Sequence, residues 1–462
     1  MIVVFDIGTS RLKVSAFSSS GDLLGQVARR HLHHAEGEYA WQETGEWWRN
    51  ACAGFAELMT TADLQPGAVR GFSVSGRAGA GVFVDGKGDV LAEPWSDGRH
   101  RSILAKLRGT YPAAPMYGLT LIAKYAWLQE HAPTRADAVR HCLYAKDFLL
   151  FKLTGVSQTD PSSGPDALDW FDQEVVDTDL LPKPQLPWSI AGSTTPAAAA
   201  ELGCEVGIPV ALGAHDGICA NTGCAMLGEG EYALTLGTHA VCRTVTARDL
   251  GREERFYCYP PALHCYGGNS WHIGTTLSWM LSIVAGLNSE LSASELGEFN
   301  DRWPRAAADP NLIFLPYLGG QTIPEKRDAG TGAFLGLSQH TSREQMVHAV
   351  FQGCAFAILR TYREIAAITG LASKICLTGG GIVFRPWLQM LADLLEQEIS
   401  FTDIGVEGRG AAIFCAVALG DYRDIPEAAQ AMQSKATSIL PRPLDDASRQ
   451  SFERFEWLSA QT

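Results

Sequence analysis

The chain of 462 residues is 46% apolar and 19% charged, which excludes a disordered or fibrous protein and leaves room for two domains, each with its own core. A formal net charge of −14 without a dense Lys/Arg run excludes a nucleic-acid backbone or an anionic membrane as the main partner. No basic leader precedes Ile2-Val3-Val4-Phe5, a stretch too short for a signal core or a membrane span, and the eleven cysteines form no Cys-x-x-Cys pair; a cytoplasmic location and free buried thiols are expected.

The opening strand Ile2-Val3-Val4-Phe5 runs into Asp6-Ile7-Gly8-Thr9-Ser10, and Lys13 to Phe17 reads as a second strand with a hairpin tip at Ser18 to Asp22. A helix over Thr44 to Met59 precedes strands at Gly71 to Ser75 and Gly81 to Asp85. Asp160 to Pro165 and Leu181 to Pro187 have the Pro, Ser and Gly content of surface loops, and Ala197 to Ala200 reads as a short helix. An apolar run then enters Leu212-Gly213-Ala214-His215-Asp216-Gly217, where a buried acid is followed at once by glycine. Ile218 to Leu227 is helical, and Gly228-Glu229-Gly230 breaks it, which places the domain boundary between 1–228 and 229–462. Past the boundary, Ala233 to Leu236 runs into Gly237-Thr238-His239. Arg343 to Gly370 is the longest helical pattern, Lys374 to Thr378 is a strand ending in Gly379-Gly380-Gly381, and Pro386 to Gln397 is a helix. Strands alternating with helices give an α/β class, and the strand-into-glycine pattern occurs in both halves as a weak echo rather than a sequence repeat.

Glycine lets a backbone come close to phosphate oxygens, and successive amides form an anion-binding concavity to which hydroxyls can donate. Gly8, Thr9, Ser10, Gly237, Thr238 and Gly379, Gly380 and Gly381 are therefore phosphate candidates, with Arg11 adding charge. A single Gly-Thr turn is more often a plain hairpin; two of them with a triple glycine carry more weight. Asp6 is a candidate for Mg²⁺ through water, since that ion keeps much of its hydration and needs few carboxylates, although an Asp there can also just cap its turn. Asp216 has the setting of a general base.

These residues resemble the FGGY carbohydrate kinases of the actin-like ATPase superfamily over nearly the whole chain. The likeness rests on an ordered series: Asp6 to Ser10, Trp95 to Arg99, Lys124 to Leu128, Lys152 to Gly155 with Thr159-Asp160, Gly213 to Gly217, Gly237-Thr238, Phe314 to Leu318, Gly332 to Leu337, Ala349 to Gly353, Gly379 to Gly381 and Gly410 to Ala412. It implies two actin-like (ribonuclease H-like) domains with an interdomain cleft, sugar mostly on the first and ATP mostly on the second. Asp216 corresponds to the base that takes the proton of the attacking hydroxyl, and with Asp6 it would face the metal. Gly237 and Thr238 match the turn for the β- and γ-phosphates, and Gly379 to Gly381 the strand end beside adenosine. ATP, Mg²⁺, a small carbohydrate substrate and, as in many relatives, a homodimer are implied.

Departures from the family pattern bear on the substrate. Arg77-Ala78-Gly79 stands where many members have Gln-Met-His, so Arg77 either faces an acidic substrate group or pairs with Asp97 or Asp85. Trp95 aligns with an aromatic lining the sugar site, Gly217 leaves room for substrate, and Trp41 is a further candidate. Gln321-Thr322 replaces a Glu-Arg pair, Gln352 a Glu, and His239 a serine. His215 can tune the base, contact sugar or serve structure. The segment Asp216 to Asn221 resembles gluconate kinases, whereas the His215-Asp216 pair is closer to deoxyketose kinases. Other readings are an actin-like ATPase acting without sugar and a catalytically silent sugar sensor. The remaining tryptophans read as core and Arg252 to Arg255 as a solvated face.

Overall fold

The computed structural model describes residues 1–77, 79–111, 116–164, 176–246, 248, 257–259, 265–270, 273–288, 291–303, 309–321, 323–325, 327, 330–402 and 405–461. They divide into two compact units. The first holds Met1–Ala225 and Gly405–Ser434; the second begins at Met226 and takes up most of the rest.

Six strands form the first unit's main sheet, in the order Ile190–Ser193, Pro209–His215, Gly71–Gly76, Ile2–Ile7, Arg11–Phe17, Leu23–Arg30. The central three run parallel and the rest are antiparallel to their neighbours. Ile2–Ile7 is buried along its whole length because helices cover both faces, as expected for a central strand that reads as a continuous apolar run. Val3, Phe5 and Ile7 join the core shared with Thr44–Thr61 and Ala145–Thr154, while Val406–Ala418 packs on the opposite face. Val82–Val84 sits in a separate three-stranded sheet with Val90–Ala92 and His141–Leu143, which shortens and relocates the strand expected over Gly81 to Asp85.

The second unit repeats this topology. Cys265–Ser270, Ala240–Val245, Glu231–Leu236, Lys374–Thr378, Ile399–Phe401 and Thr437–Ile439 are consecutive in its sheet, again with three parallel strands at the centre and antiparallel partners outside. The echo in the sequence is thus a repeated sheet built on unrelated side chains. Arg343–Thr369 is started by a capping box of Ser342 and Gln345, and it buries Val350, Phe351, Phe356, Ile358 and Leu359 in the core.

Several expectations are corrected. The helix beginning at Asp216 ends at Gly223 rather than Leu227, because Ala225 takes a left-handed φ of 55°. The Asp160 to Gly164 turn is buried, not on the surface, apart from a half-buried Pro161. Trp457 is 64% exposed and therefore not core. Ala78, Thr322 and Arg252 to Arg255 lie outside the described residues. Nine cysteines among the described residues are free, seven of them buried. No described helix is long and apolar enough to cross a membrane.

Candidate active site

Strand register assembles the first part of the site. Asp6 lies opposite Lys13 on one neighbouring strand and Ser75 on the other, so all three project to the face covered by Val406–Ala418. The Lys13 Nζ stands 3.5 Å from Asp6 Oδ2 and 3.6 Å from Glu407 Oε2. Burial pushes the Asp6 carboxyl up to about 6 despite Lys13, and the charges of Glu407 and Asp216 push the same way. Glu407 and then Asp6 hold the Lys13 ammonium above its ordinary range against burial. Asp6 Oδ1 is buried with no hydrogen-bond partner. A buried carboxylate oxygen left without a partner is a donor that would suit a largely hydrated Mg²⁺, which needs few protein oxygens. Lys13 was legible only as Asp6's partner across the hairpin, and Glu407 had no local signal at all.

Asp216 is the first residue of Asp216–Gly223, at the end of Pro209–His215. That strand carries a bulge: Ala211 pairs with Ser73 and Ala214 with Ser75, so one residue is extra. Gly213 occupies it with φ 62°, and a Cβ there would lie 1.8 Å from the Val74 carbonyl. The bulge brings the strand end around so that the Asp216 side chain is 38% exposed. The buried acid of the sequence reading is therefore half-exposed, as a proton acceptor for an incoming group must be. His215 caps the helix: its Nδ1 accepts from the Gly217 amide at 3.0 Å and lies 3.2 Å from Asp216 Oδ1. Gly217 itself is buried.

A cavity of about 250 Å³ in the same unit is lined by residues that include Gln42, Arg77, Trp95, His100 and Lys124, and by no carboxylate among the described residues. Arg77 pairs with neither Asp97 nor Asp85; Asp97 is held by Arg99, and Asp85 accepts from the amides of its own turn. The Arg77 guanidinium instead donates to Gln42 Oε1 and lies 5.7 Å from the Trp47 ring centre, with its Nε unpartnered. Burial lowers it to about 10, an effect that the charge of Asp216 partly offsets. Lys124 Nζ donates to the carbonyls of Gly79 (2.9 Å) and Trp95 (2.7 Å), and burial followed by Arg77 lowers it to about 7. Trp95 is only 4% exposed, donates to His100 Nδ1 at 3.2 Å, and has the Lys124 Nζ 5.3 Å from its ring centre. Trp41 stacks on His34. Gln42, missed as a site residue, ties the cavity to the first glycine turn, since its Nε2 donates to the Thr9 carbonyl at 2.8 Å. In that turn the Gly8 amide donates to the Arg11 carbonyl at 2.9 Å, and Thr9, Ser10 and Arg11 are exposed.

The second unit brings the other two glycine motifs together. Glu231–Leu236 and Lys374–Thr378 are parallel neighbours, so their ends, Gly237-Thr238 and Gly379 to Gly381, leave the sheet side by side. Gly379 has φ 88°, and a Cβ there would meet the Leu236 carbonyl at 2.8 Å. Gly380 is exposed, and a Cβ there would meet nothing within 4 Å, which leaves its backbone open to a ligand; Thr238 is exposed as well. The Gly274 amide fixes the turn by donating to the Thr238 carbonyl at 3.1 Å.

Comparison with known proteins gives the same assignment from a different direction. Residues 1–223 match the FGGY family of carbohydrate kinases, N-terminal domain, and residues 218–419 match its C-terminal domain. A xylulose kinase of Staphylococcus epidermidis is 25% identical over 93% of this chain and 90% of its own length. A gluconokinase of Bacillus licheniformis is 23% identical over 85% of this chain and 82% of its own. The crystal structure of xylulose kinase from Rhodospirillum rubrum superposes with a TM-score of 0.82 at 22% identity, covering 99% of this chain and 98% of that one.

Proposed function

Because the chain belongs to the FGGY family of carbohydrate kinases, for which ATP use is implied, we propose that it transfers the γ-phosphoryl group of ATP to a primary hydroxyl of a small carbohydrate, with Asp216 as general base. The observation that carries this reading is the half-exposed Asp216 carboxylate, set at a bulged strand end in the same unit as a polar cavity. A loose phosphoryl-transfer transition state asks a protein mainly for positioning and charge compensation, and the alcohol must shed its proton as the new bond forms. Asp216 takes that proton. Gly237, Thr238 and Gly379 to Gly381 hold the nucleotide through backbone amides and a hydroxyl, and the Gly8 to Arg11 turn of the first unit is a further phosphate site in the same reading. Asp6, with Asp216, would hold Mg²⁺, which would supply compensation for developing phosphate charge. Free thiols accord with a reducing, cytoplasmic setting. Release of ADP only when a carbohydrate is added distinguishes this kinase from an ATPase or a silent sensor.

Within that reading the two cations lining the cavity favour a sugar acid over a neutral ketose, since Arg77 and Lys124 both lose solvation there and regain it from an anion. Arg77→Gln is expected to raise the KM for D-gluconate about 10-fold or more, the effect of one charge-assisted hydrogen bond, and to leave D-xylulose within about threefold. Equal effects on the two substrates in a coupled ADP-release assay remove Arg77 from this role.

Lys124 adds a pH dependence. Its folded value of about 7 lies below the ordinary 10.5, so between these limits the unfolded chain binds a proton that the folded protein lacks, and this group's contribution to stability rises with pH. Binding of a carboxylate favours charged Lys124, which takes up a proton as the complex forms. The KM for D-gluconate is therefore expected to rise with pH above about 7 while that for D-xylulose stays flat, as initial rates across pH 6 to 9 will report.

A further inference from the structure

The buried turn after Asp160 holds a charged network that the reaction does not use directly. Lys146, on the helix Ala145–Thr154, is fully enclosed; its Nζ lies 2.7 Å from Asp147 Oδ1, 3.0 Å from Asp160 Oδ1 and 3.5 Å from the Leu212 carbonyl. Asp160 Oδ2 accepts from the Ser162 amide at 2.8 Å and from the Ser162 hydroxyl. The Ser162 Oγ in turn accepts from the His215 amide at 3.1 Å.

These contacts grip both ends of the bulge that precedes Asp216. Leu212 and Gly213 have left the ladder with Gly71–Gly76, and their amides donate instead to the Ser189 and Pro187 carbonyls at 3.0 and 2.9 Å. Lys146 reaches the Leu212 carbonyl and Ser162 the His215 amide, so the segment is fixed by side chains where regular pairing fails. Burial opposes ionisation of Asp160, yet Lys146 and the hydroxyls of Ser162 and Ser163 hold it below the ordinary carboxylate range. Burying one cation with two carboxylates is a poor way to gain stability, because well-packed apolar groups do as well. Its value lies in geometry.

We infer that Ser162, held by the Lys146–Asp160 pair, is a positioning residue for Asp216: it fixes the peptide ahead of the base and thereby the direction of its carboxylate. This rests on Asp216 being the base. Ser162→Ala removes the link and leaves the three charges in place. With D-gluconate and D-xylulose as probes, kcat is expected to fall about 10-fold or more, as for a small misplacement of a reacting group, with the KM for ATP within twofold and the thermal midpoint nearly unchanged. The His215 amide is expected to exchange with deuterium about 10-fold faster, and Ser162→Thr to recover kcat. Parent-like turnover in Ser162→Ala alongside a dead Asp216→Asn overturns the inference and leaves the base in place. Parent-like turnover in Asp216→Asn overturns the base and the inference with it. A joint loss of turnover, ATP affinity and thermal midpoint marks a merely structural role and equally overturns it.

Discussion

Replacing Asp216 by alanine is expected to lower kcat by about 10³-fold, within the range that a positioned general base supplies, while ATP still binds with near-parent affinity. The adenosine and phosphate contacts proposed for Gly237, Thr238 and Gly379 to Gly381 lie in the second unit, and none of these residues needs the Asp216 side chain. Loss of the base therefore separates chemistry from nucleotide binding, so the defect falls on kcat and kcat/KM together. Single-turnover ADP release and equilibrium ATP titration check the two halves of this expectation. Near-parent turnover, or loss of ATP affinity without loss of kcat, removes Asp216 from its role.

Gly410→Ala is expected to give the largest stability effect, about 3 kcal/mol or more, because it overpacks a contact that cannot open. A Cβ on Gly410 would stand 1.9 Å from the Cys219 carbonyl, and the reciprocal contact places a Cβ of Gly223 2.0 Å from the Val406 carbonyl. The two helices, Asp216–Gly223 and Val406–Ala418, thus touch backbone to backbone through glycine at two points. A methyl group at either point must displace main chain rather than a flexible side chain. Denaturant unfolding should show a lowered midpoint, and because the displaced helix begins at Asp216, kcat should fall in the fraction that remains folded. An unchanged midpoint shows that the helices separate without cost.

Much of this was legible because glycine and apolar runs are local signals. Lys374–Thr378 matches its expected span, Thr44–Thr61 and Arg343–Thr369 are close to theirs, and both strand-to-glycine turns fall at strand ends. What could not be read depended on distant partners. Asp160 to Gly164 has a surface composition, yet it is buried, with Asp160 neutralised by Lys146 from the helix Ala145–Thr154. Asp216 looked enclosed in an apolar run, but the bulge at Gly213, set by a close approach to Val74, brings it out. Arg77 has acids nearby in sequence and yet meets Gln42, since Asp97 and Asp85 are already engaged. Glu407 reaches Lys13 across most of the chain.

The return of Gly405–Ser434 to the first unit bears on how the protein is made. On the ribosome, the helix headed by Asp216 emerges long before Val406–Ala418, the element that covers its buried flank. At roughly 5–20 residues per second the wait is on the order of 10 to 40 s. Throughout it, Ile218, Cys219 and Ala220 lack their cover, so the nascent chain presents a sticky apolar strip to chaperones until Val406–Ala418 docks on it.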